Sequence, residues 1–245
     1  MTQHHEDPDA QGSDEHIEAR VTGDPTLAED LLLLLFQPRS GTIAGETTLY
    51  YVLAGAVLAD LALAERVTTT TTRVGNVAVA AVEGRSPADE TLLPAWELVS
   101  TTPRGVQTVL STIGPTLRQP LLERLVARGD LREEKRTTLR LFTTTALSDG
   151  GSGRRAELLG QVRDVLVDGK EPTPRVAALA ALLWGSGTLP QYDPEIPWTS
   201  SVIARAQELE RGSWGAAASA EAVARTMAAV VASSLAIVAT TLPRG

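Results

Sequence analysis

The sequence predicts a mainly α fold: a single helical domain with central buried helices surrounded by amphipathic helices, plus one or two β-hairpins. Two early segments, 24–36 and 47–65, are predicted to be helices that are apolar around most of their circumference, which is typical of helices at the centre of a protein. Later segments repeat apolar residues at helical spacing. The stretch 67–82 has β-branched runs on either side of Gly75 and Asn76, and a second strand, turn, strand pattern follows Gly129.

Capping signals and apolar faces set the order of the helices. Thr26 and Glu29 stand at capping-box spacing before a run of leucines, and the segment Gln37 to Gly41 ends that first helix. A helix near 103–113 is predicted to end at Gly114 and Pro115. The other helices are predicted near 47–65, 88–99, 155–167, 173–184, 199–211 and 216–240, with one more that ends at Gly129.

The last predicted helix raises the question of a membrane span. It has no charge between Arg225 and Arg244, a stretch of 18 residues that lies at the short edge for crossing a bilayer. Alanine and serine make much of it only mildly apolar. We therefore predict a helix that is buried in the core rather than one that spans a membrane.

The composition excludes several kinds of catalytic site. The chain has 245 residues, of which 43% are hydrophobic, and this is enough to form a core. It has no cysteine, and its three histidines, His4, His5 and His16, lie in the first sixteen residues. A histidine base, a Ser/His/Asp triad and a Cys or His metal site are therefore excluded from the body. The phosphate-loop pattern GxxxxGK[ST] is absent, so we expect no cofactor and no enzymatic activity.

The net charge of -8 is concentrated at the amino terminus. Residues 1–30 hold nine acids and one base, whereas the remaining 21 acids and 21 bases cancel. Residues 1–22 lack an apolar face, so we expect a disordered acidic tail followed by one domain over 23–245. The start has no basic segment followed by an apolar run, so we expect no secretory signal and a cytoplasmic location.

The stretch from Arg118 to Phe142, RQPLLERLVARGDLREEKRTTLRLF, contains the most basic window of the body. Residues 118–140 include seven bases and four acids. The arginines of this capped helix and hairpin can point to solvent, form a face that meets anionic lipid, or serve a winged-helix reader of DNA. A DNA reader needs many bases on one face, but prolines interrupt the helix and two glutamates occupy the turn. We keep winged-helix DNA binding only as a distant alternative and do not expect nucleic acid as a partner.

Five segments follow one another along the chain: TLAEDLLLLLF, LAGAVLADLALAERV, the basic stretch, RVAALAALLW and ARTMAAVVASSLA. The corresponding segments of the Golgi phosphoprotein 3 family occur in the same order. The chain resembles that family from about Thr26 to Leu235. The resemblance implies a mostly α-helical domain with a β-hairpin used in self-association. Eukaryotic members are peripheral Golgi proteins that bind phosphatidylinositol 4-phosphate and the cytosolic tails of glycosyltransferases.

The resemblance also implies a head-group site of one tryptophan and three basic residues on two helices. The tryptophan position falls near Gly45 or Glu46, and two of the basic positions fall at Ala54 and Pro115, so none of these three is retained. Arg118 matches the last basic position. A phosphomonoester needs several charge-assisted hydrogen bonds, which one arginine cannot supply, so we expect a degraded pocket. The candidate lipid head-group residues are Arg118, Lys135, Arg136 and Arg140.

Two functional hypotheses follow. The first is a peripheral module that binds anionic membrane lipid from the cytoplasm. The second is a non-enzymatic protein-interaction scaffold that binds protein partners, or forms a homo-oligomer through its hairpin, with the acidic tail as a regulatory or solvating arm. Acids such as Asp60, Glu97 and Glu123 occur singly and are interpreted as capping or surface charges rather than as an acid and base pair.

Overall fold

The computed structural model describes residues 23–71, 76–138, 142–212, 226 and 228–233, with only the backbone described for 135–138 and 142–145. Within these residues the protein is mainly α with short antiparallel hairpins, as predicted. The helices are α1 Leu27–Leu35, α2 Leu49–Leu63, α3 Leu93–Ser100, α4 Val106–Ala127, α5 Arg154–Leu166, α6 Pro174–Gly185 and α7 Ser200–Glu210, with a 3₁₀ turn at Leu189–Tyr192. The strands are β1 Phe36–Gln37, β2 Thr42–Ile43, β3 Val67–Thr71, β4 Val77–Ala81, β5 Arg104–Gly105, β6 Leu131–Thr138 and β7 Phe142–Asp149.

The first two helices form the centre of the core, as their apolar composition predicts. Every residue of α1 is buried, and most of α2 is buried as well. Helix α1 packs against α2, α4, α5 and α6, and α2 packs against α4 and α6. A short helix that is surrounded on every side has no face for water, which explains why its leucines form an unbroken run.

The capping box at the start of α1 is confirmed. The Glu29 backbone N–H donates to Thr26 Oγ1 at 3.2 Å, and the Thr26 backbone N–H donates to Glu29 Oε2 at 2.7 Å. The C-cap glycine is confirmed too: Gly129 has φ +74°, a left-handed conformation that glycine adopts without a steric cost. These two local signals therefore predict the start of α1 and the end of α4 correctly.

The predicted break at Gly114 and Pro115 is wrong, since α4 continues through it to Ala127. Pro115 and Pro120 are both exposed. Each proline removes one backbone donor, and the carbonyls left without it belong to the exposed residues Ser111 and Thr116, where water can replace the lost bond. The cost of a proline inside a helix is therefore reduced on this solvated side.

The helix predicted near 88–99 begins later, at Leu93. Asp89 accepts a bond from the Thr91 backbone N–H at 2.8 Å, which holds the preceding residues in a turn. Asp89 is thus a turn residue whose carboxylate remains free to accept bonds from other parts of the chain.

Both predicted hairpins are present. Strands β3 and β4 pair from Val67 opposite Ala81 to Thr71 opposite Val77, and β5 adds a third strand beside β4. Strands β6 and β7 pair from Leu131 opposite Asp149 to Thr138 opposite Phe142. The second hairpin follows directly from the C-cap of α4, so its base is fixed to the helical body.

The chain ends are only partly described. The helix predicted over 216–240 lies mostly outside the described residues, although 226 and 228–233 are helical. The predicted acidic tail, 1–22, lies outside them entirely. Among the helices that the structure does describe, none is both long enough and apolar enough to cross a bilayer.

Candidate functional site

Two clusters of ion pairs, each centred on a buried acid, surround the amino-terminal half of α1. We call them the Glu29 cluster and the Asp30 cluster after the adjacent α1 residues at their centres. The Glu29 cluster contains Glu29, Asp89, Arg124 and Arg128. The Asp30 cluster contains Asp30, Asp60, Asp130, Arg154 and Arg175.

The Glu29 cluster joins α4 to α1. Arg124 donates to both Asp89 oxygens, at 3.0 and 2.8 Å, and its Nη2 lies 3.0 Å from Glu29 Oε2. Arg128 donates to Glu29 Oε1 at 2.8 Å and to the Gly23 carbonyl oxygen at 3.0 Å. Glu29 is fully buried and Arg124 is 7% exposed. The interpretation that the arginines of this stretch point to solvent is therefore wrong for Arg124 and Arg128, and neither lies on an open basic face.

The Asp30 cluster joins α1 to α2, α5 and α6. Arg154 donates to both Asp30 and Asp130, and Arg175 donates to Asp30 Oδ2 from its Nε at 3.0 Å. Arg175 also donates to Asp60 Oδ1 at 3.1 Å. Each carboxylate in the cluster is thus held by at least one arginine, which is the condition under which a charge can be buried.

Asp60 is 8% exposed, so its interpretation as a surface charge is wrong, although it is a cap. Its Oδ2 accepts a bond from the Leu27 backbone N–H at 2.6 Å, which caps the start of α1 from α2. Burial raises the pKa of Asp60 to about 7, against the opposing effects of the Arg175 charge and the Leu27 bond. Both oxygens of the Asp60 carboxylate therefore bond to structural groups rather than to a reacting group.

The described residues of the two clusters form neither a metal site nor an acid and base pair. Within the described part of the chain, no group of three or more His, Cys, Asp or Glu could hold a metal ion. The acids of both clusters are taken up by arginines and by backbone N–H groups. The clusters join helices α1, α2, α4, α5 and α6, and their evident role is to hold these helices together.

Arg118 is the one candidate head-group residue whose side chain is described. It lies on the outer face of α4 and donates from Nη2 to Glu46 Oε1 at 3.0 Å, with side-chain exposures of 44% and 54%. Lys135 and Arg136 pair through their backbones with Thr145 and Thr144 in the second hairpin, and their side chains are not described. Arg140 lies outside the described residues.

The other positions of the implied head-group site have different environments. Ala54 is fully buried in α2, so a basic side chain would have to enter the core there. Pro115 is exposed on α4. Glu46, at or next to the implied tryptophan position, is the residue that pairs with Arg118. The structure therefore places an acid, rather than an aromatic ring, beside the retained arginine.

A groove of about 770 Å³ runs along α4 and is bounded by the turn before α3 and by β6. Its apolar wall includes Ile113, Leu117 and Val126. Three glutamates also line it: Glu90 from the turn, Glu123 from α4 and Glu133 from β6. The sequence gives no signal for this groove, because its walls come from three separate segments.

The ion clusters could have been found from the sequence in part. Glu29 and Asp30 occur within a helix that is otherwise apolar on all sides, so both acids had to be buried and paired. Their arginine partners follow 95 or more residues later in the chain, and no local pattern identifies them. Sequence reasoning missed both clusters because it treated each acid alone.

The comparison with protein families agrees with the order of segments. The model of the Golgi phosphoprotein 3 (GPP34) family matches residues 27–226, from the first residue of α1 to the described helical residue 226. No curated protein matches the chain. The matched range includes both ion clusters, Arg118, the groove and the second hairpin.

Proposed function

The chain belongs to the Golgi phosphoprotein 3 (GPP34) family, and from that premise we propose that it is a non-enzymatic peripheral module that binds anionic lipid head groups through Arg118. The observation that carries the proposal is the exposed Arg118 guanidinium on the outer face of α4. Arginine donates in a planar fork that fits phosphate oxygens. Lys135, Arg136 and Arg140 are proposed as additional bases that contribute to the same lipid binding.

Glu46 sets the strength of this binding. Its carboxylate already occupies one donor of Arg118, and a phosphate must compete with it. Each base near an anionic bilayer contributes only about 1 kcal/mol. We therefore propose weak, salt-sensitive association with anionic lipid, including phosphatidylinositol 4-phosphate, rather than tight binding in a complete pocket.

Removing the competing acid should strengthen membrane binding. Glu46→Gln is expected to increase the fraction of protein that sediments with vesicles containing phosphatidylserine or phosphatidylinositol 4-phosphate, and Arg118→Ala to decrease it. Co-sedimentation at low and at physiological salt measures both. Asp168→Asn and Arg163→Ala are matched controls, because Arg163 and Asp168 form an ion pair of 2.7 Å with similar exposures, 44% and 38%.

The proposal fails if Glu46→Gln and Asp168→Asn change sedimentation equally, since the effect would then report only the loss of one negative charge. It also fails if wild type stays in the supernatant at low salt and Arg118→Ala changes nothing. Equal binding to phosphatidylserine and phosphatidylinositol 4-phosphate vesicles of matched charge would exclude recognition of the monoester.

A second candidate function, self-association as a scaffold, is favoured by the second hairpin. Strands β6 and β7 form a two-stranded sheet, and within the described residues no third strand pairs with either outer edge. Such an edge presents backbone donors and acceptors that another strand can use. We propose that this hairpin joins two copies of the chain, or the chain and a protein partner.

Shortening the hairpin should lower the mass of any oligomer. Replacing residues 134–146 by a short Gly-Ser turn removes most of both edges and leaves the C-cap at Gly129 intact. Light scattering after size exclusion, over a range of concentrations, measures the mass. A wild-type protein that stays monomeric at every concentration, and recovers no partner from extract, would contradict the scaffold.

A further inference from the structure

Trp198 is a large apolar side chain that the fold leaves in contact with water. It is 45% exposed, and among the side chains that the structure describes no other large apolar one is exposed. It lies in the loop between the 3₁₀ turn and α7. A tryptophan ring combines a large apolar surface with one N–H donor, which suits it to the boundary between an apolar phase and water.

The ring of Trp198 is held in a fixed position. It stacks on Trp184 of α6, with ring centroids 5.9 Å apart and an angle of 23° between the ring planes. The Trp184 Nε1–H donates in turn to Glu210 Oε2 at 3.2 Å. Ile196, two residues earlier, is fully buried, and Thr199, the next residue, is the N-cap of α7. The chain on either side of the ring is therefore anchored, and the ring stays available to a second surface.

The tryptophan pair adjoins the segment that holds Arg118. Helix α6 ends one residue after Trp184, and the turn that follows packs against the loop before α2. In that contact the Ser186 carbonyl oxygen accepts from Thr48 Oγ1 at 3.5 Å. The same loop contains Glu46, which accepts from Arg118 at 3.0 Å. A single turn therefore links the aromatic pair to the loop that carries the partner of Arg118.

A bilayer suits this ring better than a protein partner does. A stable protein interface buries roughly 1,000 Å² or more around an apolar centre, which one exposed ring does not supply. A tryptophan at the membrane interface needs no further apolar surface from the protein. Asp193 and Glu195 are exposed in the same loop and oppose an anionic surface, so the ring has to contribute through apolar contact rather than through charge.

We propose that Trp198, supported by Trp184, anchors the protein in the interfacial region of a lipid bilayer. The inference rests on the proposed lipid-binding function and deepens it, because Trp198 supplies the apolar contact that a single arginine lacks. The contribution of the ring does not depend on head-group charge, whereas that of Arg118 requires anionic lipid. Neutral and anionic bilayers therefore distinguish the two residues.

Sedimentation with increasing amounts of vesicles separates the two contributions. Trp198→Ala should weaken binding to phosphatidylcholine vesicles, with or without phosphatidylserine, by roughly fivefold to thirtyfold, the effect of losing the apolar contact of about half a tryptophan. Trp198→Phe keeps an apolar ring and should keep most of the binding. Arg118→Ala should weaken binding only where phosphatidylserine is present. Ser200→Ala, an exposed residue at the start of α7, is the control and should bind like wild type.

The fluorescence of Trp198 reports its contact with lipid. Phosphatidylcholine brominated on its acyl chains near the head group quenches a tryptophan that lies at the interface. The chain has four tryptophans, so the contribution of one of them is measured by replacing it. The quenching of wild type by brominated vesicles should be largely lost in Trp198→Phe.

Three results would overturn the anchor. Trp198→Ala that binds like wild type, while Arg118→Ala loses binding, would leave the head-group proposal standing without it. Unchanged quenching in Trp198→Phe would assign the lipid contact to another tryptophan. A change in the oligomeric mass of Trp198→Ala without a change in vesicle binding would make Trp198 a protein contact. Conversely, a loss of binding in Trp198→Ala but not in Arg118→Ala would support the anchor and remove the role of Arg118. Thermal unfolding of each variant establishes that it is folded.

Discussion

Gly114→Ala is expected to destabilise the protein by about 1–3 kcal/mol, the cost of overpacking a well-packed contact. A Cβ at position 114 would lie 2.5 Å from the Tyr50 carbonyl oxygen and 3.1 Å from its carbonyl carbon. Both atoms belong to the backbone of α2, so the two helices would have to move apart. Alanine stabilises a helix relative to glycine by about 1 kcal/mol. The measured change in stability is therefore the packing cost minus this gain, and a net loss means that the packing cost is the larger of the two.

Urea unfolding followed by circular dichroism measures the change, and Gly160→Ala is the matched control. Gly160 is also inside a helix, α5, but it is exposed and a Cβ there would meet nothing within 4 Å. Gly160→Ala is therefore expected to gain up to about 1 kcal/mol from helix propensity alone. If Gly114→Ala were as stable as Gly160→Ala, the close approach of α2 and α4 would be refuted.

Local features of the fold were predictable from the sequence because their causes are local. The capping box of Thr26 and Glu29 and the left-handed Gly129 depend on residues within one helical turn. The continuation of α4 past Pro115 was not predictable, because it depends on which side of the helix faces water. That side is set by packing against α2, which is distant in sequence.

The candidate site was less predictable than the fold. Arg118 was predicted as a head-group residue by resemblance, but its bond to Glu46, 72 residues earlier in the chain, could not be predicted from the local sequence. The number of bases in residues 118–140 also overstates the basic surface, since Arg124 and Arg128 pair with Glu29 and Asp89, which precede this window in the chain. A count of charges in a window does not separate arginines that hold the core together from those that face solvent.

Glu29→Gln is expected to destabilise the protein by about 3–5 kcal/mol near neutral pH, the range for breaking a buried ion pair by removing one partner. Glu29 is fully buried, and its carboxylate holds both Arg124 and Arg128. Gln keeps the shape of the side chain and an acceptor for the Thr26 backbone N–H, so the loss reports mainly the charge. Equilibrium unfolding in urea measures it.

The pH dependence of this loss distinguishes a lost charge from a lost fit. Burial tends to raise the pKa of Glu29, but the Thr26 bond and the Arg124 and Arg128 charges outweigh it and hold the pKa below 4.5. A carboxyl with a lowered pKa stabilises the fold above its unfolded pKa and loses that contribution as pH falls through its folded pKa. The difference in the free energy of unfolding between wild type and Glu29→Gln should therefore narrow below about pH 4.5. A gap that stayed constant with pH would mean that packing, not charge, was lost.

Asp60→Asn is expected to change stability with pH in the opposite direction to Glu29→Gln. The pKa of Asp60 is raised from 3.8 to about 7, chiefly by burial, so the folded protein binds this proton more tightly than the unfolded chain. The Asp60 contribution therefore favours folding at low pH and declines as pH rises from about 4 to 7. Relative to wild type, Asp60→Asn should gain stability over that interval, because an amide has no charge to bury. If the free energies of unfolding of wild type and Asp60→Asn changed in parallel from pH 4 to 8, the arginine and backbone partners would compensate fully for the burial of this carboxylate.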